Sequence, residues 1–259
     1  MLLRRIIEHV RTQNWTAVGL DFVIVVVGVF IGIQVANWNE ALANAQREKQ
    51  VLQEILDDLR GDADVLQSST EAAKLSIDST NVLLERADLE PITRLDVPVQ
   101  IPLIEDVELA TALTPLATDP TPQFWARITT RFFPEQNSTA VDALIASGNF
   151  SIIGNQQIVR ALQRNTALWE TVATSHNLTY RPIRDRVVFV GQRHGLSPFI
   201  TVDLDNLVEI VKSDPELQGA IRTNAEFATF HYQSLEALKA NTDALISRIE
   251  TALGIESTP

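Results

Sequence analysis

Between residues 15 and 38 the chain is apolar almost without a break, and beyond residue 50 it becomes periodic. Only Asp21 and Gln34 are strongly polar between Trp15 and Trp38. At about 1.5 Å per residue, the two tryptophans stand about 35 Å apart along a helix. That length crosses a bilayer and puts both rings where interfacial aromatics belong. Further on, Leu52, Leu56, Leu59, Ala63, Leu66, Thr70, Ala73, Ile77, Thr80 and Leu84 keep an alternating spacing of four and three. This is the seam of a helical bundle or coiled coil. Val51, Ile55, Val65 and Leu83 widen the stripe, which favours a bundle. One long helix, or two stacked ones, is therefore expected over residues 40–87, with Gly61 as the place for a bend.

Residues 89–103 contain Pro91, Pro98 and Pro102 and read as extended chain or loop. A short helix is expected at 104–113 and a breaker-rich loop at 114–122. Ser138 or Asn137 then caps a helix ending at Gly148. A second helix runs from 155 to about 180 or beyond, where Pro182 should kink or end it. Residues 186–202 hold β-branched clusters around Gly195 and Pro198, and a pair of short strands is the alternative to helix there. A short helix at 204–211 precedes Ser213-Asp214-Pro215, which places cap, acid and proline in order for the last long helix. Leu217, Ala220, Ile221, Phe227, Leu235, Leu238, Leu245, Ile249 and Leu253 form its apolar stripe.

The expected fold class is all-α: an N-terminal transmembrane helix followed by an antiparallel extracytoplasmic helical bundle with long helices. Residues 1–14 form a cytoplasmic amphipathic segment, 15–38 the transmembrane helix, and 39–259 the extracytoplasmic bundle domain. That domain comprises the long helix at 40–87, a loop-rich stretch at 89–137 and helices over 138–253.

Charge sets the orientation. Arg4, Arg5 and Arg11 oppose Leu2, Leu3, Ile6, Ile7 and Val10 across a short surface helix. With this basic flank inside, the span is single-pass and the large domain lies outside. In a two-membrane bacterium this means the inner membrane and a periplasmic domain. Ala41-Leu42-Ala43 resembles a signal cleavage site, but the apolar run is long and begins late, so an uncleaved signal anchor is expected. The net charge is −12, while the first 38 residues are slightly positive. An acidic main domain repels nucleic acid and anionic lipid, so neither is expected as its partner. The chain has no cysteine, which excludes disulfides and thiolate sites.

Asp21, Val25, Gly28, Gly32, Val35 and Asn39 fall within about 40° of one line along the span. Gly28 and Gly32 form a G-x-x-x-G, which lets helix backbones approach closely. Asp21, Val25, Gly28 and Gly32 are thus a candidate transmembrane interface, with a second copy or another membrane protein as partner. A span beginning at Phe22 also crosses a bilayer and leaves Asp21 among the headgroups. Trp15 and Trp38 are the membrane-interface anchors.

Two blocks, "GVFIGIQVANWNE" and "DALIASGNFSIIGNQQIVRAL", together with the long helix between them, resemble an uncharacterised family of bacterial single-span membrane proteins. The resemblance implies an acidic residue at the start of the span, an N-W-N-E exit at Asn37, Trp38, Asn39 and Glu40, and a helical periplasmic domain. It implies no catalytic residue. Physics gives the exit a simple role too, with Trp38 at the interface and Asn39 and Glu40 opening the water-exposed helix.

No chemistry stands out. His9, His176, His194 and His231 show no metal-ligand spacing. His231 lies on the apolar stripe of the last helix and reads as a core histidine. Asp203, Asp205, Asn206 and Glu209 lack the glycine and spacing of a calcium loop. Asp57 and Asp58 read as an exposed helix face. Phosphate-loop, dinucleotide, metalloprotease and nucleophile-elbow motifs are absent. The expectation is a non-enzyme without cofactors: a membrane-anchored scaffold or interaction module that self-associates through its span. A proton-coupled stator-like subunit using Asp21 with a polytopic partner is the second reading. A periplasmic ligand sensor acting through a partner is the third.

Overall fold

The computed structural model describes residues 15–92, 123–129 and 134–255, with side chains from residue 19. The surface segment at 1–14, Pro98, Pro102, the helix at 104–113 and the loop at 114–122 lie outside the described residues. Every regular element among the described residues is helical. Helix α1 spans Trp15–Arg86, α2 Phe124–Thr129, α3 Thr139–Ser147, α4 Gln156–Ser175, α5 Arg181–Gln192, α6 Leu204–Ser213 and α7 Pro215–Leu253. A 3₁₀ turn at Phe150–Ile152 follows α3, and a π turn at His176–Tyr180 joins α4 to α5.

The chain divides into two compact units, residues 1–50 and 51–259. In the first, α1 is long and apolar enough to cross a membrane; its most apolar window has a mean hydropathy of 2.3 and is not buried at all. Apolar side chains from Leu20 to Val35 are 48–68% exposed. The helix continues through Gly61 without a break, so the span and the periodic stretch are one element.

In the second unit the stripe expected on α1 is buried. Leu52, Ile55, Leu56 and Leu59 pack with Val141, Leu144, Ile158, Leu162, Leu245 and Ile249. Leu66 packs with Leu168, Trp169, Val172, Leu235 and Leu238. Leu83 and Ala87 join α2, Val187 and Val190 of α5, α6 and the start of α7. Leu84, Ile92 and Ala225 form a small fourth cluster. α1 and α7 contribute to all four.

Polar residues interrupt this core, and several of their side chains are hydrogen-bonded within it. The hydroxyls of Thr70, Thr80, Thr229 and Thr242 each donate to the carbonyl four residues back, at 2.8–3.0 Å. Such back-bonding lets a small side chain enter a helix contact without a partner across it. At the end of α2, the Ile128 carbonyl accepts from Asn224 Nδ2 at 3.2 Å and Ser76 Oγ at 3.4 Å. Two neighbouring helices thereby satisfy a terminal carbonyl that α2 cannot.

The strand alternative at 186–202 is corrected: residues 181–192 are helix, and Val187, Val190 and Gly191 share its buried face. Pro182 does not end the preceding helix as a free terminus. It sits in the first turn of α5, where its missing N–H costs little, and the π turn absorbs the join. Asp214 and Pro215 open α7 as expected, with Asp214 Oδ1 accepting from the amides of Glu216 and Leu217 at 2.8 and 3.2 Å.

Trp125 is fully buried and packs its six-membered ring against Gly191. A Cβ at position 191 would stand 2.5 Å from Trp125 Cζ2 and 2.9 Å from Cη2. The indole cannot yield without displacing α2 from the core. Gly191→Ala is therefore expected to destabilise the protein by about 1–3 kcal/mol through overpacking, despite the better helix propensity of alanine. Thermal unfolding of the variant checks this, and an unchanged or raised midpoint contradicts it.

Candidate functional site

Three features compete for a functional role. The first is the face expected on the span. Asp21, Val25, Gly28, Gly32, Asn37, Trp38, Asn39 and Glu40 all lie on α1 and all are exposed. Val25 is 63% and Trp38 71% exposed, and a Cβ at Gly28 or Gly32 would meet nothing within 4 Å. Trp15 is the first described residue of α1.

The second feature joins α1 to α3. Asp58 and Asp62 stand one helical turn apart. Asp58 Oδ2 accepts from the Ala140 amide at 2.8 Å, and Asp62 Oδ1 from the Asn137 amide at 2.6 Å. The reading of Asp58 as an exposed-face residue is thus corrected: Asp57 is exposed, but Asp58 is half-buried and caps α3. Ser138, expected as the cap, makes no side-chain cap bond and donates instead to Asp142 Oδ2 at 2.7 Å. Carboxylates suit this place because the first amides of a helix are orphan donors at a positive dipole end. Asp62 is 1% exposed, and its Oδ2 has no hydrogen-bond partner. Burial, reinforced by the neighbouring Asp58 charge and opposed by the Asn137 bond, pushes its carboxyl up to about 7.

The third feature is a cleft of about 730 Å³ along the helical face formed by α4, the π turn and the start of α5. Trp169 and Ala173 contribute its apolar surface. Glu135 and Glu170 line it, as do Arg181 and Arg184. His176 lines the cleft and also meets the buried His231, with ring centroids 5.2 Å apart. Tyr180 lies 4.9 Å from His231 and 6.0 Å from Phe227. His231 is indeed a core residue, 1% exposed. Sequence spacing could not show its contact with His176, because 55 positions separate the pair and only the packing of the π turn on α7 brings them together. Among the described residues no group of three or more His, Asp or Glu side chains is placed to hold a metal ion.

His194, read as a loop residue, follows α5 and meets Asp214 Oδ2 at 2.7 Å. That bond, helped by the two amides of α7, holds the Asp214 carboxyl below its usual range. This contact ties a turn to a helix cap.

Compared with protein-family models, curated proteins and solved structures, the chain matches none.

The buried Asp62 carboxyl gives a pH dependence of known sign. Its folded pKa lies above the unfolded value of 3.8, so the folded state holds the proton more tightly. Its contribution favours folding in acid and declines as pH rises from about 4 to about 7. Asp62→Asn keeps an oxygen acceptor for the Asn137 amide and removes the charge. The variant should be more stable than the parent at pH 8 by about 1–3 kcal/mol, with little difference at pH 4.5. Denaturant unfolding at both values checks the expectation; equal differences at the two would contradict it.

Proposed function

We propose that this protein is a membrane-anchored interaction module whose α1 segment from about residue 15 to 38 crosses a membrane once and self-associates there. The observation that carries the reading is the uncovered apolar surface of α1. Each apolar side chain left in water forgoes about 1.5–3 kcal/mol of burial. A continuous run of such residues needs a cover, and lipid is the cover that fits its length. The basic flank at Arg4, Arg5 and Arg11 supports a cytoplasmic N-terminus and a periplasmic helical domain. The family resemblance of the N-W-N-E exit agrees with this placement.

The packing clusters support an antiparallel bundle. Leu52–Leu59 meets Leu245 and Ile249, Leu66 meets Leu235 and Leu238, and Leu83 meets Leu217 and Ile221. Numbers rise along α1 as they fall along α7. A bundle with a continuous helical stem suits presentation of a surface to partners.

Self-association through the Gly28 face is motivated by the open glycines and their alignment with Asp21 and Val25. The chain lacks native cysteine, so single cysteines report cleanly. Val25→Cys and Gly28→Cys should crosslink on oxidation in membranes several-fold more than Val26→Cys and Phe30→Cys. Equal crosslinking at all four positions contradicts the interface. A C-terminal alkaline phosphatase fusion should be active, and an inactive one contradicts the orientation.

Asp21 decides the stator-like reading. There, Asp21→Asn and Asp21→Ala would abolish function alike; a packing contact tolerates Asn better, because the side chain keeps its shape and its hydrogen-bonding oxygen.

A further inference from the structure

We propose that the cleft beside α4 and α5 binds a short peptide with free ends, its carboxylate at Arg181 and Arg184 and its ammonium at Glu135 and Glu170. The inference concerns residues 134–184 alone and holds whether or not the span enters a membrane. Among the described residues four Arg and Glu side chains line this cleft, and three of them, Arg181, Glu135 and Glu170, make no ion pair there. Several charges elsewhere on the same unit are taken up by one another. Glu216 receives both Arg186 and Arg193, Lys212 meets Asp88 at 2.8 Å, and Arg60 meets Glu250 at 2.8 Å. Arg184 is held by its neighbour Asp185 at 3.1 Å, with its side chain only 30% exposed.

The charges are also separated by sign along the helical face. Glu170 precedes the π turn and Arg181 follows it. The rise between them is about 16 Å. An extended chain covers that distance with about four or five residues at about 3.4 Å each. A free amino acid, whose two charges are much closer, cannot engage both ends. Ala173 lies between Glu170 and Arg181 along the face and Trp169 lines the cleft beside Glu170, and peptide side chains would rest on this apolar surface. The chain as a whole is strongly negative and repels anions at long range. A carboxylate is therefore held only where arginines dominate locally, and a ligand that also carries a positive end escapes the repulsion.

The test uses the full chain in detergent micelles and a mixture of random tetrapeptides at millimolar concentration. Thermal unfolding is followed with free-ended, N-acetylated and C-amidated forms of the mixture. The free-ended mixture should raise the midpoint, and either modification should weaken apparent affinity at least tenfold. Arg181→Glu should reproduce the loss on amidation. Its own midpoint without peptide should match the parent, because Arg181 is exposed and makes no ion pair among the described residues. Glu170→Gln should reproduce the loss on acetylation. No rise with the free-ended mixture, or a rise that neither modification diminishes, overturns the proposal.

Discussion

Burial of one stripe of α1 is the constraint on which the helical unit depends. Four clusters share it, and α7 contributes to each. The remaining helices fill the flanks: α3 and α4 beside Leu52–Leu59, α4 beside Leu66, and α2, α5 and α6 beside Leu83. The same helix has an earlier stretch in which no side chain is buried. One continuous backbone thus carries two apolar surfaces with different solutions, protein for one and, in the reading proposed here, lipid for the other.

The core is not purely apolar, and its polar members explain how close helices remain compatible. Serine and threonine on α1 and α7 donate to carbonyls of their own helix and occupy little volume; Thr242 and Ser76 also reach across, to Asn165 and to the Ile128 carbonyl. Asp58 and Asp62 work in the opposite way. Asp58 reaches from α1 to the Ala140 amide in the first turn of α3 and replaces a cap that the local serine does not supply, while Asp62 holds the Asn137 amide just before that helix. A helix of nine residues is marginal on its own, so docking to α1 supplies what its length does not. The cost falls on Asp62, whose second oxygen is buried without a partner.

Much of this fold was legible because helical periodicity is local. The spacing from Leu52 to Leu84, the αL glycine at 148 and the Asp214-Pro215 start are each written within a few residues. Gly191 is another matter. Nothing around it announces that Trp125, 66 positions earlier, lies against its face. The Asp58 cap and the Asp62 contact with Asn137 were missed for the same reason, since a carboxylate on a helix reads as surface until another segment is brought to it. The cleft escaped notice because its wall at Glu135 is distant in sequence from its helical face. In the span, by contrast, Asp21 and the glycines were visible at once, and the described backbone keeps them on one uninterrupted helix.

An apolar surface proposed to take lipid and then a second copy of itself as its cover makes a physical demand that a single experiment can meet or refuse. Native mass measurement of the tagged full-length chain, extracted from its own membranes in a mild detergent, tests it most directly. The account predicts extraction only with detergent and a mass at an integer multiple of the chain, with the oligomer reduced to monomer by Gly28→Leu. Release without detergent, or a monomer that Gly28→Leu leaves unchanged, would contradict it.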